Sequence, residues 1–149
     1  MTESDLIDAI GLREGFEYVE PPKIDQPTGP YGIVLATLSE YRGAPATIDD
    51  LKVLAQDDAR TIVQWKLQRI ALSGIGQIPF EPLRVQLLDF AYNSGASIAI
   101  RWLQRVVRVT ADGVMGPQTL AAVAGSNLWL VHHALIAARL QMIDLWTDA

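Results

Sequence analysis

The residue best placed for chemistry in this sequence is Glu14. A short helix is expected over residues 4 to 14, with Thr2 or Ser4 as its N-cap and Gly15 to end it. Its apolar face is Leu6, Ile7 and Ile10, and helical spacing carries that stripe on to Glu14, seven residues after Ile7 and four after Ile10. A carboxyl on a core-facing stripe is penalised in its charged form and can stay protonated near neutral pH. It is then a general acid of the kind that glycosidic bond cleavage needs. The structural alternative is an ion pair with Arg13 or a more distant cation, which also perturbs a carboxylate.

The elements that position Glu14 follow from the pattern of breakers and apolar runs. Between Phe16 and Gly32 lie Pro21, Pro22, Pro27, Gly29 and Pro30, a density that excludes a regular helix and predicts a loop or a small hairpin over about 16–34. Thr47-Ile48-Asp49-Asp50 reads as a capping box ahead of Leu51 to Ala55, and Asp57 to Leu72 continues as an amphipathic helix. Beyond Gly74, Gly76 and Pro79 the chain is helical throughout. The segment 83–92 is apolar nearly all round and should be buried, 96–107 forms another helix, Pro117 opens a further one, and 128–146 completes the set. The fold class is all-α, with at most that small hairpin or irregular loop.

Composition narrows the functions. The chain has 149 residues, half of them hydrophobic, a mean hydropathy of +0.18 and a net charge of -5. This suits one globular domain and argues against both disorder and a nucleic-acid partner, which calls for a clustered basic excess. Arg101, Arg105 and Arg108 fall on one helical face, either as a local basic patch or as an ordinary solvated surface. There are no cysteines, and adjacent His132 and His133 diverge on a helix, so no metal or other cofactor is expected. The acidic N-terminus lacks the pattern of an export signal. Charged and polar residues interrupt the apolar stretch 128–146, so no membrane insertion is expected. Trp65, Trp102, Trp129 and Trp146 each lie in an expected helix and read as core or rim packing.

Three groups of residues carry a resemblance: Arg13-Glu14-Gly15-Phe16, then Tyr31-Gly32-Ile33, then Asp89 to Gly95 with its Asn93-Ser94-Gly95 ending. With Trp102 to Arg105 and Asp112 to Leu120 downstream, their order resembles glycoside hydrolase family 108, the N-acetylmuramidases of phage endolysins and related bacterial proteins, over about residues 6 to 140. The resemblance implies a lysozyme-like peptidoglycan hydrolase that cuts the β-1,4 bond between N-acetylmuramic acid and N-acetylglucosamine, with Glu14 as the acid. It implies Asp25 and Thr28 as its catalytic partners and Tyr18, Tyr31 and Asn93 as residues lining the sugar cleft. The loop departs from the family pattern. The family's Asp falls earlier, so Asp25, eleven residues after Glu14, is displaced, whereas Thr28, fourteen residues on, keeps the spacing, and Gln26-Pro27 replaces a glycine pair.

On this reading the chain is a single domain with a catalytic lobe over 1–80 and a helical peptidoglycan-binding-like lobe over 81–149. It is a monomer made in the cytoplasm, acting on the cell wall after release, with bacterial peptidoglycan as its partner. The alternatives are a wall-binding module without catalysis, which the altered loop favours, and a helical interaction or DNA-binding protein, which the acidic charge disfavours.

Overall fold

The computed structural model describes residues 1–22 and 25–147, with side chains as far as Met142. Eight helices make up the described fold, α1 Glu3–Glu14, α2 Leu35–Arg42, α3 Ile48–Lys52, α4 Gln56–Ala71, α5 Glu81–Ser94, α6 Ala96–Val106, α7 Pro117–Ala124 and α8 Leu128–Thr147. The only β pairing among the described residues is a pair of isolated antiparallel bridges, Val19 with Thr28 and Thr28 with Val34. The expected all-α class with a small irregular hairpin therefore holds. The chain forms two compact units, Glu3–Gln68 and Arg69–Ala149, the second also taking in Met1–Thr2.

In the first unit α1 buries Leu6, Ile7, Ile10 and Gly11, positions one and four apart that lie along a single helix face. Gly11 is there because two rings press on it: a Cβ would stand 2.6 Å from Tyr31 Cε1 and 2.7 Å from Phe16 Cε1. Those rings meet edge to face at 5.3 Å. The helix ends at Gly15, whose φ of +89° suits glycine, and whose carbonyl accepts the Tyr31 N–H at 2.7 Å. Tyr31 itself has φ +60°, a left-handed conformation costly for a bulky residue, and it is held there at 3% exposure.

The stretch before α3 contains a helix that breaker counting does not reveal. Nothing in residues 33–46 has a clear apolar period, yet Leu35–Arg42 is helical, with Leu38 as its one fully buried side chain and Gly43 closing it in the left-handed region. The capping box is present as expected: Thr47 Oγ1 accepts from the Asp50 N–H at 3.2 Å, and Asp50 Oδ2 accepts from the Thr47 N–H at 2.8 Å. It caps a helix that starts at Ile48 and stops by Lys52, so the expected helix at 51–55 is shifted toward the N-terminus. Arg60 of α4 pairs with Asp8 of α1, and Trp65 of α4 meets Tyr41 of α2 edge to face at 5.2 Å.

In the second unit α5 is the central helix. It buries Leu83, Val85, Gln86, Leu87, Leu88, Phe90 and Ala91, as its all-round apolar surface predicts, and it packs on α6 and α8. A half-buried ion pair fixes the α8 contact: Arg139 Nη2 lies 3.1 Å from Asp89 Oδ2, and the same guanidinium covers the Phe90 ring at 4.8 Å. Trp129 is 55% exposed, edge to face with Phe80 at 4.9 Å and with His133 stacked beside it, so of the three described tryptophan side chains it is the most open. Trp65 and Trp102 are half-buried, and the side chain of Trp146 lies outside the described residues. No single described helix is long and apolar enough to cross a membrane.

Of the three arginines, Arg101 and Arg105 lie on α6 and Arg108 falls beyond its end. Arg101 donates to the Ala111 carbonyl at 3.4 Å, and Arg105 lies over the Trp102 ring at 4.8 Å. Arg108 occupies the left-handed position of a Schellman cap, with φ +62°, its N–H bonded to the Arg105 carbonyl at 3.3 Å and the Val109 N–H bonded to the Gln104 carbonyl at 3.0 Å. Glycine is the usual residue there, and an L side chain costs roughly 1–2 kcal/mol, part of which glycine returns as unfolded-chain entropy. Arg108→Gly should therefore stabilise the protein by about 1 kcal/mol and raise the melting temperature by a few degrees, read by circular dichroism. An unchanged or lower midpoint would show that the Arg108 side chain contributes more than its backbone conformation costs.

Candidate functional site

Glu14 ends α1 directly before Gly15. Its side chain is 36% exposed and 3.3 Å from Arg13 Nε, so the apolar stripe does not continue onto it as the periodicity suggests. The stripe stops at Ile10 and Gly11 because the chain turns at Gly15, and the last helical residue is left at the rim of the core. What lies against the Glu14 side chain is Gly32, where a Cβ would stand 3.0 Å from Oε2 and 3.1 Å from Cγ. Gly32 thus keeps space for the carboxylate that any other residue would fill. Lys66 of α4 is close enough for its half-buried ammonium to feel the charges of Glu40 and Glu14. Burial pushes its pKa down, and the two carboxylates partly offset that.

The other expected site residues lie in the loop and in α5. Thr28 is fixed by its backbone, exchanging hydrogen bonds with Val19 at 2.8 and 2.9 Å. Asp25 is exposed, and among the described residues its carboxylate has no hydrogen bond or ion pair. Tyr18 is half-buried beneath Lys52 Nζ, 5.6 Å from the ring centre, and its hydroxyl donates to Glu20 at 3.2 Å. Burial and then Glu20 push the Tyr18 hydroxyl pKa up. Tyr31 does not present its ring as an open cleft wall. It is packed in the core against Phe16 and Gly11 and hydrogen-bonded to Arg60. Asn93 belongs to the second unit, where its Nδ2 donates to the Asp89 carbonyl at 3.1 Å within the last turns of α5.

In the second unit the most organised polar feature is Gln104, which the sequence reading did not single out. It lies four residues after Ile100 and next to Leu103 on the buried face of α6, at 1% exposure. Its amide nitrogen shares two hydrogens among Asp112 Oδ1 at 2.8 Å, the Val114 carbonyl at 2.9 Å and Thr119 Oγ1 at 3.0 Å, and its oxygen accepts from the Gly113 N–H at 2.9 Å. One buried amide thus ties α6 to the turn 112–114 and to α7. The available signal was a polar residue in phase with an apolar face, the same signal that drew attention to Glu14. Beside this network a cavity of about 430 Å3 opens between the turn and the start of α7.

Comparison with known proteins gives this arrangement a class. Residues 98–141, which include Gln104, the turn, all of α7 and most of α8, match the family model described as a predicted peptidoglycan domain, so this is a peptidoglycan-related protein. A solved structure titled "Structure of Brucella abortus SagA" is similar over nearly the whole chain: 32% identity, 95% of this chain and 79% of that one covered, TM-score 0.77. The chain belongs to the same family as Brucella abortus SagA. No curated protein sequence matches it.

Two measurements check the network. Gln104→Leu keeps the approximate volume but strips the Gly113 N–H, Thr119 and Asp112 of their shared partner. It should cost about 3 kcal/mol, or about 10 °C in melting temperature, and a loss within about 0.5 kcal/mol would show that water replaces the amide. The second uses pH. The Val114 N–H, and after it the Gln104 amide, hold the Asp112 carboxyl below its ordinary value of 3.8. A carboxyl depressed by folding contributes stability that is present above the unfolded pKa and lost as pH falls through the folded one. Melting temperature should fall on acidification below about pH 4 and fall less steeply in Asp112→Asn; identical acid limbs would contradict that assignment.

Proposed function

We propose that this protein is a peptidoglycan hydrolase that cleaves the β-1,4 bond between N-acetylmuramic acid and N-acetylglucosamine, with Glu14 as general acid, and that its second unit contributes to holding the wall. The observation that carries the reading is the setting of Glu14. Its carboxylate stands at a helix end, part exposed, above a glycine that leaves room beside it, inside the sequence landmarks that resemble family 108. Membership of the SagA family and the match over 98–141 support peptidoglycan as the partner.

In this mechanism Glu14 donates its proton to the leaving glycosidic oxygen as the bond breaks, and the developing oxocarbenium-like charge requires a second group. Asp25 would supply that group by stabilising the charge or positioning a water, with Thr28 helping to hold the water. The Asp25 carboxylate is exposed and uncommitted among the described residues, and Thr28 is held by its backbone bonds to Val19. Lys66 sets a positive charge near Glu14. Action is at the cell wall.

A second reading, wall binding without catalysis, is favoured by two observations: the Asp25 carboxylate has no hydrogen bond or ion pair among the described residues, and Tyr31 is closed into the core. Dye release from labelled peptidoglycan separates the two. Glu14→Gln keeps the shape but has no proton to donate, so release should fall by about a hundred-fold or more while sedimentation with walls and the helical spectrum stay at wild-type levels. Release by the variant equal to wild type would remove Glu14 from the chemistry, and no release by wild type would leave only the binding function.

A further inference from the structure

We propose that the cavity at the start of α7 is a binding site for a secondary amide flanked by a methyl group. Peptidoglycan presents that chemistry both in the acetamido arms of its amino sugars and in the alanyl links of its stem peptides. The inference rests on the peptidoglycan reading above and deepens it. The cavity, about 430 Å3, is of the size that small-ligand sites occupy.

One part of its lining is the N-terminus of α7. Gly116 is the N-cap and offers no side-chain oxygen, and the backbone N–H groups of Gln118 and Thr119 have no acceptor among the described residues. Uncapped amides at a helix start favour an acceptor oxygen. An independent feature points the same way. The Thr119 hydroxyl is buried at 3% exposure, lines the cavity and accepts from Gln104 at 3.0 Å. Its own proton must therefore be donated elsewhere, and no described residue receives it. Three donors thus lie at this end of the cavity without an acceptor among the described residues.

Another part of the lining is Asp112, whose Oδ1 accepts from Gln104 and from the Val114 N–H, leaving carboxylate lone pairs for a ligand N–H. Val109, Val114 and Pro117 add apolar surface that suits a methyl group. A free carboxylate ligand would be repelled by Asp112, and an ammonium ion would meet the positive end of α7. A neutral amide, with its oxygen toward α7 and its N–H toward Asp112, satisfies both sides.

The test is an amide-shift NMR titration of the full chain with three probes: an N-acetylglucosamine tetramer, the same tetramer without its acetyl groups, and an alanyl-isoglutamyl stem tripeptide. The expected result is movement of the Asp112, Gln118 and Thr119 signals with the acetylated tetramer or the stem peptide and none with the deacetylated one, the responding probe identifying the source. Thr110→Trp, placed on the exposed rim away from the Gln104 network, should fill the cavity and weaken that binding at least ten-fold with an unchanged helical spectrum. Equal shifts with the deacetylated tetramer, unchanged affinity in Thr110→Trp, or no shift with any probe would overturn the assignment. Sedimentation with purified walls, run in parallel, separates the two levels: wall binding without a cavity response refutes the site alone, whereas no wall binding and no lysis refutes the peptidoglycan reading with it.

Discussion

The second unit is organised by the buried side-chain amide of Gln104. A polar group removed from water must find its partners in the protein, and this one finds four, on the turn 112–114 and on Thr119. That requirement sets the distance from α6 to the turn and the angle at which α7 departs. It also explains why the Asp112-Gly113 turn has its shape: Asp112 Oδ1 serves Gln104 and the Val114 N–H together, and Gly113 takes φ +79° against Ser97, where a Cβ would collide. The cavity lies beside this network, and Asp112 and Thr119 belong to both.

The first unit is organised differently, by close approach of backbone and rings. Gly11 admits Tyr31 and Phe16 against α1, the Tyr31 N–H closes on the Gly15 carbonyl, and Gly32 then passes beneath Glu14. The sequence of contacts brings the 16–34 loop back over the end of α1 without any extended sheet. It also decides the character of Glu14. The helix ends where its apolar stripe would have turned inward, so the carboxylate stands at a rim, reachable from solvent and near Lys66, in place of the dry pocket that periodicity suggested.

Much of the architecture was legible from residue order. The termination of α1 at Gly15, the breaker-rich loop, the capping box at Thr47 and the central buried α5 all follow from local chemistry that tertiary contacts do not override. The helix Leu35–Arg42 was not legible, because one buried leucine in eight residues gives no periodic signal and its stability comes from packing. The candidate site was legible in part. Glu14 and the turn 112–120 could be picked out, but the burial of Tyr31 depends on a left-handed backbone that no propensity rule assigns to tyrosine, and Asp89, seen within a motif, proves to be the ion-pair partner of Arg139. Gln104 was legible only as a polar residue in phase with an apolar face, because its partners belong to a turn and a helix eight to fifteen residues away.

The central claim is that this fold, with Glu14 at its rim, cuts the glycan strand. The most direct measurement is mass analysis of the soluble products released when the wild-type protein is incubated with purified peptidoglycan. The account predicts muropeptides with new reducing ends at N-acetylmuramic acid. Sedimentation of the protein with the wall and no soluble product, or products cut only in the stem peptide, would contradict it.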